Sequence, residues 1–161
     1  MACLCVFVFS QLFVCASGAD GSVEELAPDH HPDAPGERRR VEERGGIITY
    51  RGCWRVYSPE EGMYLAVSRA FGDICLKEPK LVIDADPDVT IRELTPNDKW
   101  LVIASDGLWC RVDNAPCAAL LQNCDTAQEA TDKLIYEAKY QQTHDNTTVC
   151  VVKLSMGRLN N

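Results

Sequence analysis

From Trp100 to Ala104 every position is apolar (Trp-Leu-Val-Ile-Ala), the pattern of a strand covered on both faces. Just upstream, Val89 to Leu94 alternates Val, Ile and Leu with Thr, Arg and Glu, the period of a half-buried strand. Ile47 to Arg51 reads as a further short strand and Thr147 to Leu154 as a closing one. Helical spacing appears in Asp113 to Asn123, through Ala118 and Leu121. It recurs in Thr126 to Tyr140, through Ala127, Ala130, Leu134 and Ala138. Thr126 and Glu129 stand in capping-box positions at the start of that helix. A short charged helix is predicted over residues 37–44 (ERRRVEER), stopped by Gly45-Gly46. Residues 20–36 hold Pro28, Pro32 and Pro35 among acidic residues and read as loop, as does Ser58 to Gly62. Strands and helices come in runs rather than in strand–helix–strand alternation, which predicts an α+β fold.

Composition narrows the class. The chain has 161 residues, 46% of them hydrophobic and 25% charged, which excludes a disordered tail, a collagen-like repeat and a polytopic membrane protein. Lys and Arg number 16 against 24 Asp and Glu, a net charge of −8. An acidic chain lacks the basic footprint that nucleic acids and anionic lipid surfaces require, so neither is expected as a partner. Composition sets no oligomeric state.

The nine cysteines form no Cys-x-x-Cys pair, and reduced thiols in the cytoplasm or nucleus are the simplest expectation. Cys110, Cys117 and Cys124 recur at a seven-residue interval, but zinc asks for closer ligand pairs, so buried core residues are expected. The apolar run from Cys3 to Cys15, followed by small residues at 16–19, points another way. It has the outline of a signal peptide and would make the chain secreted, although no Lys or Arg precedes it. A buried strand explains the same Val and Phe content.

Two segments place an aspartate where a strand meets a turn. In Ala104-Ser105-Asp106-Gly107 a buried strand ends in Asp then Gly, and in Asp145-Asn146-Thr147-Thr148 an Asp precedes the last strand. Carboxylates so placed are rigid, and a pair of them suits a hard cation such as Mg²⁺ or Mn²⁺. Taken singly, each reads first as an ordinary turn-forming aspartate. Spacing alone does not bring them together.

Five ordered segments carry a resemblance. They are residues 26–32 (LAPDHHP), residues 37–46 (ERRRVEERGG), residues 65–73 (LAVSRAFGD), residues 104–109 (ASDGLW) and residues 145–149 (DNTTV). Together they resemble signatures of the metal-dependent protein phosphatase (PPM, type 2C) family. The resemblance implies a two-sheet antiparallel β-sandwich flanked by helices. It implies hydrolysis of phosphoserine and phosphothreonine in a phosphorylated protein substrate by a water activated on two Mg²⁺ or Mn²⁺ ions. Position by position, Asp106 and Asp145 match metal ligands, and Arg55 matches an arginine near the phosphate site, where a guanidinium pairs with phosphate. A surface ion pair is the other reading of Arg55. Arg69 and Asp73 match a motif expected to support the site through hydrogen bonds, and Trp109 is expected in the core behind Asp106.

The matched domain covers residues 10–154, with an uncertain apolar segment at 1–9 and a tail at 155–161. The family's Asp-Gly-His-Gly motif, whose Asp bridges both metals and whose His is the general acid, is absent from this sequence. Cys110 stands where some members carry an Asp for a further ion. The resemblance therefore implies the C-terminal part of a catalytic domain, its N-terminal strands and helices missing, with no catalytic residue assigned. Two carboxylates without the bridging one hold Mg²⁺ poorly, so the alternative is a catalytically inactive fragment or pseudophosphatase that acts as a binding protein. Ser10 to Cys15 aligns with a family strand, and a glycan on the sequon Asn146-Thr147-Thr148 would obstruct Asp145. Both favour a core strand at the N-terminus and a cytoplasmic or nuclear protein over a secreted one.

Overall fold

The apolar run at residues 100–104 becomes an inner strand of the larger sheet. A computed structural model of the chain describes residues 3–8, 13–18, 21–26 and 30–155. The chain divides into two units, residues 1–7, 12–28 and 89–161 in the first and residues 8–11 and 29–88 in the second.

Along the first unit run β1 (Cys3–Val8), β2 (Phe13–Gly18) and β3 (Val23–Glu25). The second unit contributes α1 (Pro35–Glu43), β4 (Ile47–Arg51), β5 (Cys53–Ser58), β6 (Met63–Leu65) and a 3₁₀ turn at Ile74–Leu76. The first unit resumes with β7 (Asp88–Glu93), β8 (Asp98–Ala104), α2 (Asp106–Trp109), α3 (Asn114–Gln122), α4 (Ala127–Tyr140) and β9 (Val149–Lys153). None of the described helices is long and apolar enough to cross a membrane.

In the first unit the sheet order is β3-β2-β8-β9, all antiparallel neighbours, and β1 pairs with β7. β8 is covered on both faces, as its composition predicts. Trp100, Val102 and Ala104 join Leu108, Leu121, Leu134 and Val151 in one core, while Leu101 packs with Leu26, Ile103 and Leu154 on the opposite side. α4 buries Ala130, Leu134 and Ala138, a stripe at four-residue intervals. The capping expectation at its start holds, with the Thr126 hydroxyl accepting from Glu129 N–H at 3.1 Å. Of the recurring cysteines, Cys117 and Cys124 are buried and Cys110 is exposed.

The apolar N-terminal run forms two strands rather than one, and residues 16–18 lie within β2, paired with β8. Residues 20–36 are not all loop, because β3 lies within them and α1 starts at Pro35. β7 reverses its expected facing. Its alternation is present, but Val89 and Ile91 are exposed while Thr90 and Arg92 turn inward. Arg92 decides this, donating to Glu24 at 2.6 Å and pairing with buried Asp98 at 2.9 Å.

In the second unit α1 begins with Pro at its first turn and ends before Gly45, whose φ of +87° makes it the left-handed C-terminal residue. β4, β5 and β6 form an antiparallel meander. Its inner face packs Ile48 and Val56 against Val41 of α1 and against Leu76, Val82 and Ile83.

Candidate metal site and its neighbours

Pairing of β8 with β9 brings together the two aspartates that spacing left apart. Ala104 lies opposite Val149 in the register, so Asp106, just beyond β8, and Asp145, just before β9, share one end of the sheet. The two loops are then joined by hydrogen bonds. Ser105 N–H donates to Thr148 O at 3.0 Å, the Ser105 hydroxyl donates to Asn146 O at 3.2 Å, and Thr148 N–H donates back to Ser105 Oγ at 3.0 Å. Gly107 makes the approach possible. A Cβ there would run into Asn146 O and lie 2.7 Å from Thr147 Oγ1. Behind the site Trp109 packs partly buried on the core, and its indole N–H donates to Ala104 O at 3.1 Å.

Asp106 is half-buried and Asp145 exposed. Asp145 Oδ1 accepts from the N–H of Asn146 at 2.7 Å, and neither carboxylate has a cationic partner among the described residues. Two hard oxygen donors on adjacent, braced loops fit a divalent cation in kind. They are fewer than a full set, since the described residues contain no group of three or more His, Cys, Asp or Glu able to hold a metal.

The second unit treats its carboxylates differently. Glu37, at the start of α1, accepts from Arg69 at 2.6 Å and from Arg40 and the Ser68 hydroxyl. Asp84 pairs with Arg40 and, at 2.6 Å, with Arg44. Asp88 accepts from His30 at 2.8 Å and from Arg69 at 2.9 Å. Burial pushes the Glu37 carboxyl up, but hydrogen bonds from Arg69 and Ser68 and the charges of Arg40 and Arg69 outweigh it and leave it below the usual range. Asp84 is likewise raised by burial and lowered further by Arg40 and Arg44. The hydrogen bond from His30 is the main cause of the lowered Asp88, with Arg69 adding to it.

Arg69 donates to Glu37 of α1, to the Asp86 carbonyl and to Asp88, linking α1 to residues 86–88 through hydrogen bonds. Asp73 does not enter this network. It adopts a left-handed conformation (φ 48°) ahead of the 3₁₀ turn, and its side chain caps nothing. Arg55 lies mid-β5, opposite Thr49 and half-buried, with no carboxylate beside it among the described residues, so the surface ion pair weighed for it does not form there. Sequence reasoning missed Asp84 and Asp88, which lie in an acidic stretch without motif character. The Glu37–Arg40 spacing of three residues on one helix face was the signal available.

The family model described as Protein phosphatase 2C matches residues 10–147. The chain is 36% identical over 160 residues to "Probable protein phosphatase 2C 45" of Oryza sativa subsp. japonica, covering 95% of this chain and 54% of that protein. It is 38% identical over 133 residues to "Probable protein phosphatase 2C 71" of Arabidopsis thaliana, covering 83% and 28% respectively. Among solved structures, a phosphatase from a pathogenic strain of Toxoplasma gondii superposes with a TM-score of 0.79 at 25% identity, over 96% of this chain and 50% of that one. The chain thus spans about half or less of the length of these relatives. With the α+β architecture, the antiparallel sheets and the ordered motifs in agreement, the chain belongs to the Protein phosphatase 2C family.

Proposed function

We propose that this chain supplies the Asp106–Asp145 part of a metal-dependent protein serine/threonine phosphatase acting on phosphorylated proteins. The observation that supports it most is the β8–β9 pairing, which sets two carboxylates with no cationic partner among the described residues on hydrogen-bonded neighbouring loops. The Protein phosphatase 2C family is metal-dependent. Asp106 and Asp145 would hold Mg²⁺ or Mn²⁺, whose bound form supplies positive charge toward phosphate oxygens and an activated water. β8 and the Ser105 hydrogen bonds hold the backbones of the two loops side by side. Arg55 is read as a phosphate-binding group and Arg69 as a positioning residue within its own unit. Cys53, Cys75, Cys110, Cys124 and Cys150 are free thiols, which supports a cytoplasmic or nuclear setting.

Phosphate release from a phosphothreonine peptide, followed as Mn²⁺ is raised, tests this. Slow release that requires Mn²⁺, half-saturates at high metal concentration and is abolished by EDTA and by Asp106→Asn is the expected result. The small donor set favours a second reading, a catalytically inactive fragment or pseudophosphatase that binds phosphoproteins. Release at the uncatalysed rate at saturating Mn²⁺ selects that reading.

A further inference from the structure

The β4-β5-β6 sheet has two faces of opposite character. Its inner face carries Ile48, Val56 and the half-buried Trp54 and Leu65 of the core. The register places Thr49 opposite Arg55, Arg51 opposite Cys53 and Tyr57 opposite Tyr64 on the other face. There the Tyr57 and Tyr64 rings stack at a centroid distance of 4.5 Å and an angle of 21°. The Arg51 guanidinium lies 4.1 Å from the Tyr64 ring centroid. A guanidinium attracted to a ring face leaves N–H donors for an anion.

Arg51 and Arg55 have no carboxylate partner among the described residues, whereas Arg40, Arg44 and Arg69 of the same unit are all paired with carboxylates. In a chain of net charge −8, two uncompensated arginines around an aromatic pair make a local positive surface complementary to a compact dianion. A long polyanion fits less well, because it would extend over an acidic surface that repels it.

We propose that the outward face of this sheet docks a phosphorylated segment of a protein partner. Arg51 and Arg55 hold the phosphate through charge-assisted hydrogen bonds. The Tyr57–Tyr64 stack receives a side chain next to the phosphoresidue. The proposal rests on the phosphatase reading for its choice of a phosphorylated partner, and it adds Arg51, Tyr57 and Tyr64 to the groups that recognise it.

The test is fluorescence anisotropy of the full chain in EDTA, where hydrolysis cannot contribute. The probes are a labelled phosphothreonine peptide, its unphosphorylated counterpart and an oligothymidine of equal length. The phosphopeptide should bind about tenfold or more tighter than the other two. Its affinity should fall with salt and by about tenfold or more in R51A/R55A, with R51K/R55K in between, because lysine keeps the charge without the planar fork. Circular dichroism spectra establish that the variants are folded. Equal binding of both peptides, tighter binding of the oligothymidine, or wild-type affinity in a folded R51A/R55A protein would overturn the proposal. Phosphopeptide binding retained while Mn²⁺-dependent release is absent upholds docking and removes only the hydrolytic reading.

Discussion

Two sets of carboxylates meet opposite fates. At the β8–β9 end of the first unit, Asp106 and Asp145 stand on braced loops without a cation beside them among the described residues. In the second unit, Glu37, Asp84 and Asp88 are each neutralised by arginine, Asp88 with His30 as well. A buried carboxylate that already has two donors is committed to holding its unit together. One held in place by backbone geometry alone, with its charge unspent, is available to a ligand. Position on a strand end does not separate the two classes, but the company each carboxylate keeps does.

Breaking the paired set should have the largest effect. Glu37→Ala removes the carboxylate that Arg40 and Arg69 share, leaving Arg40 with Asp84 and Arg69 with Asp88, and is expected to cost about 3 kcal/mol, read from urea denaturation. Acid should act on the same groups. All three carboxyls lie below their ordinary values in the folded chain. Their contribution is complete above the unfolded-state range of roughly pH 4 and is lost as pH falls through the folded-state values. Amide resonances of α1 and β4 to β6 should therefore report acid unfolding that Glu37→Ala shifts to higher pH.

A smaller effect sharpens the other side. Gly107→Ala forces the 145–148 loop to shift and is expected to cost about 1–3 kcal/mol, with a parallel loss of Mn²⁺ affinity. Thr126→Ala, which removes a hydroxyl bonded to Glu129 N–H, should cost about 1 kcal/mol through the lost cap and leave Mn²⁺ affinity alone.

Much of this was legible in the sequence where local chemistry decides the outcome. The apolar run at residues 100–104, the charged helix ended by Gly45 and the Thr126 cap each follow from residues close in the chain. Pairing was not legible. Asp106 and Asp145 share one end of the sheet only because β9 adds antiparallel to β8, a tertiary choice that spacing does not encode. β7 teaches the same lesson, since alternation gives a period while its facing is set by where Arg92 finds Glu24 and Asp98. β5 and β6 escaped because their short segments mix Arg, Tyr, Cys and Met with no continuous apolar signal. In hindsight Arg51, Cys53, Arg55 and Tyr57, two residues apart, trace the outward face.

The most direct measurement is Asp106→Asn, followed in one preparation by urea denaturation and by Mn²⁺-induced broadening of amide resonances at residues 104–107 and 145–148. If Asp106 is kept unpaired for a cation, stability should stay within roughly 0.5 kcal/mol of the parent while the Mn²⁺ broadening disappears. A loss of stability comparable to that of Glu37→Ala, or undiminished broadening, would contradict it.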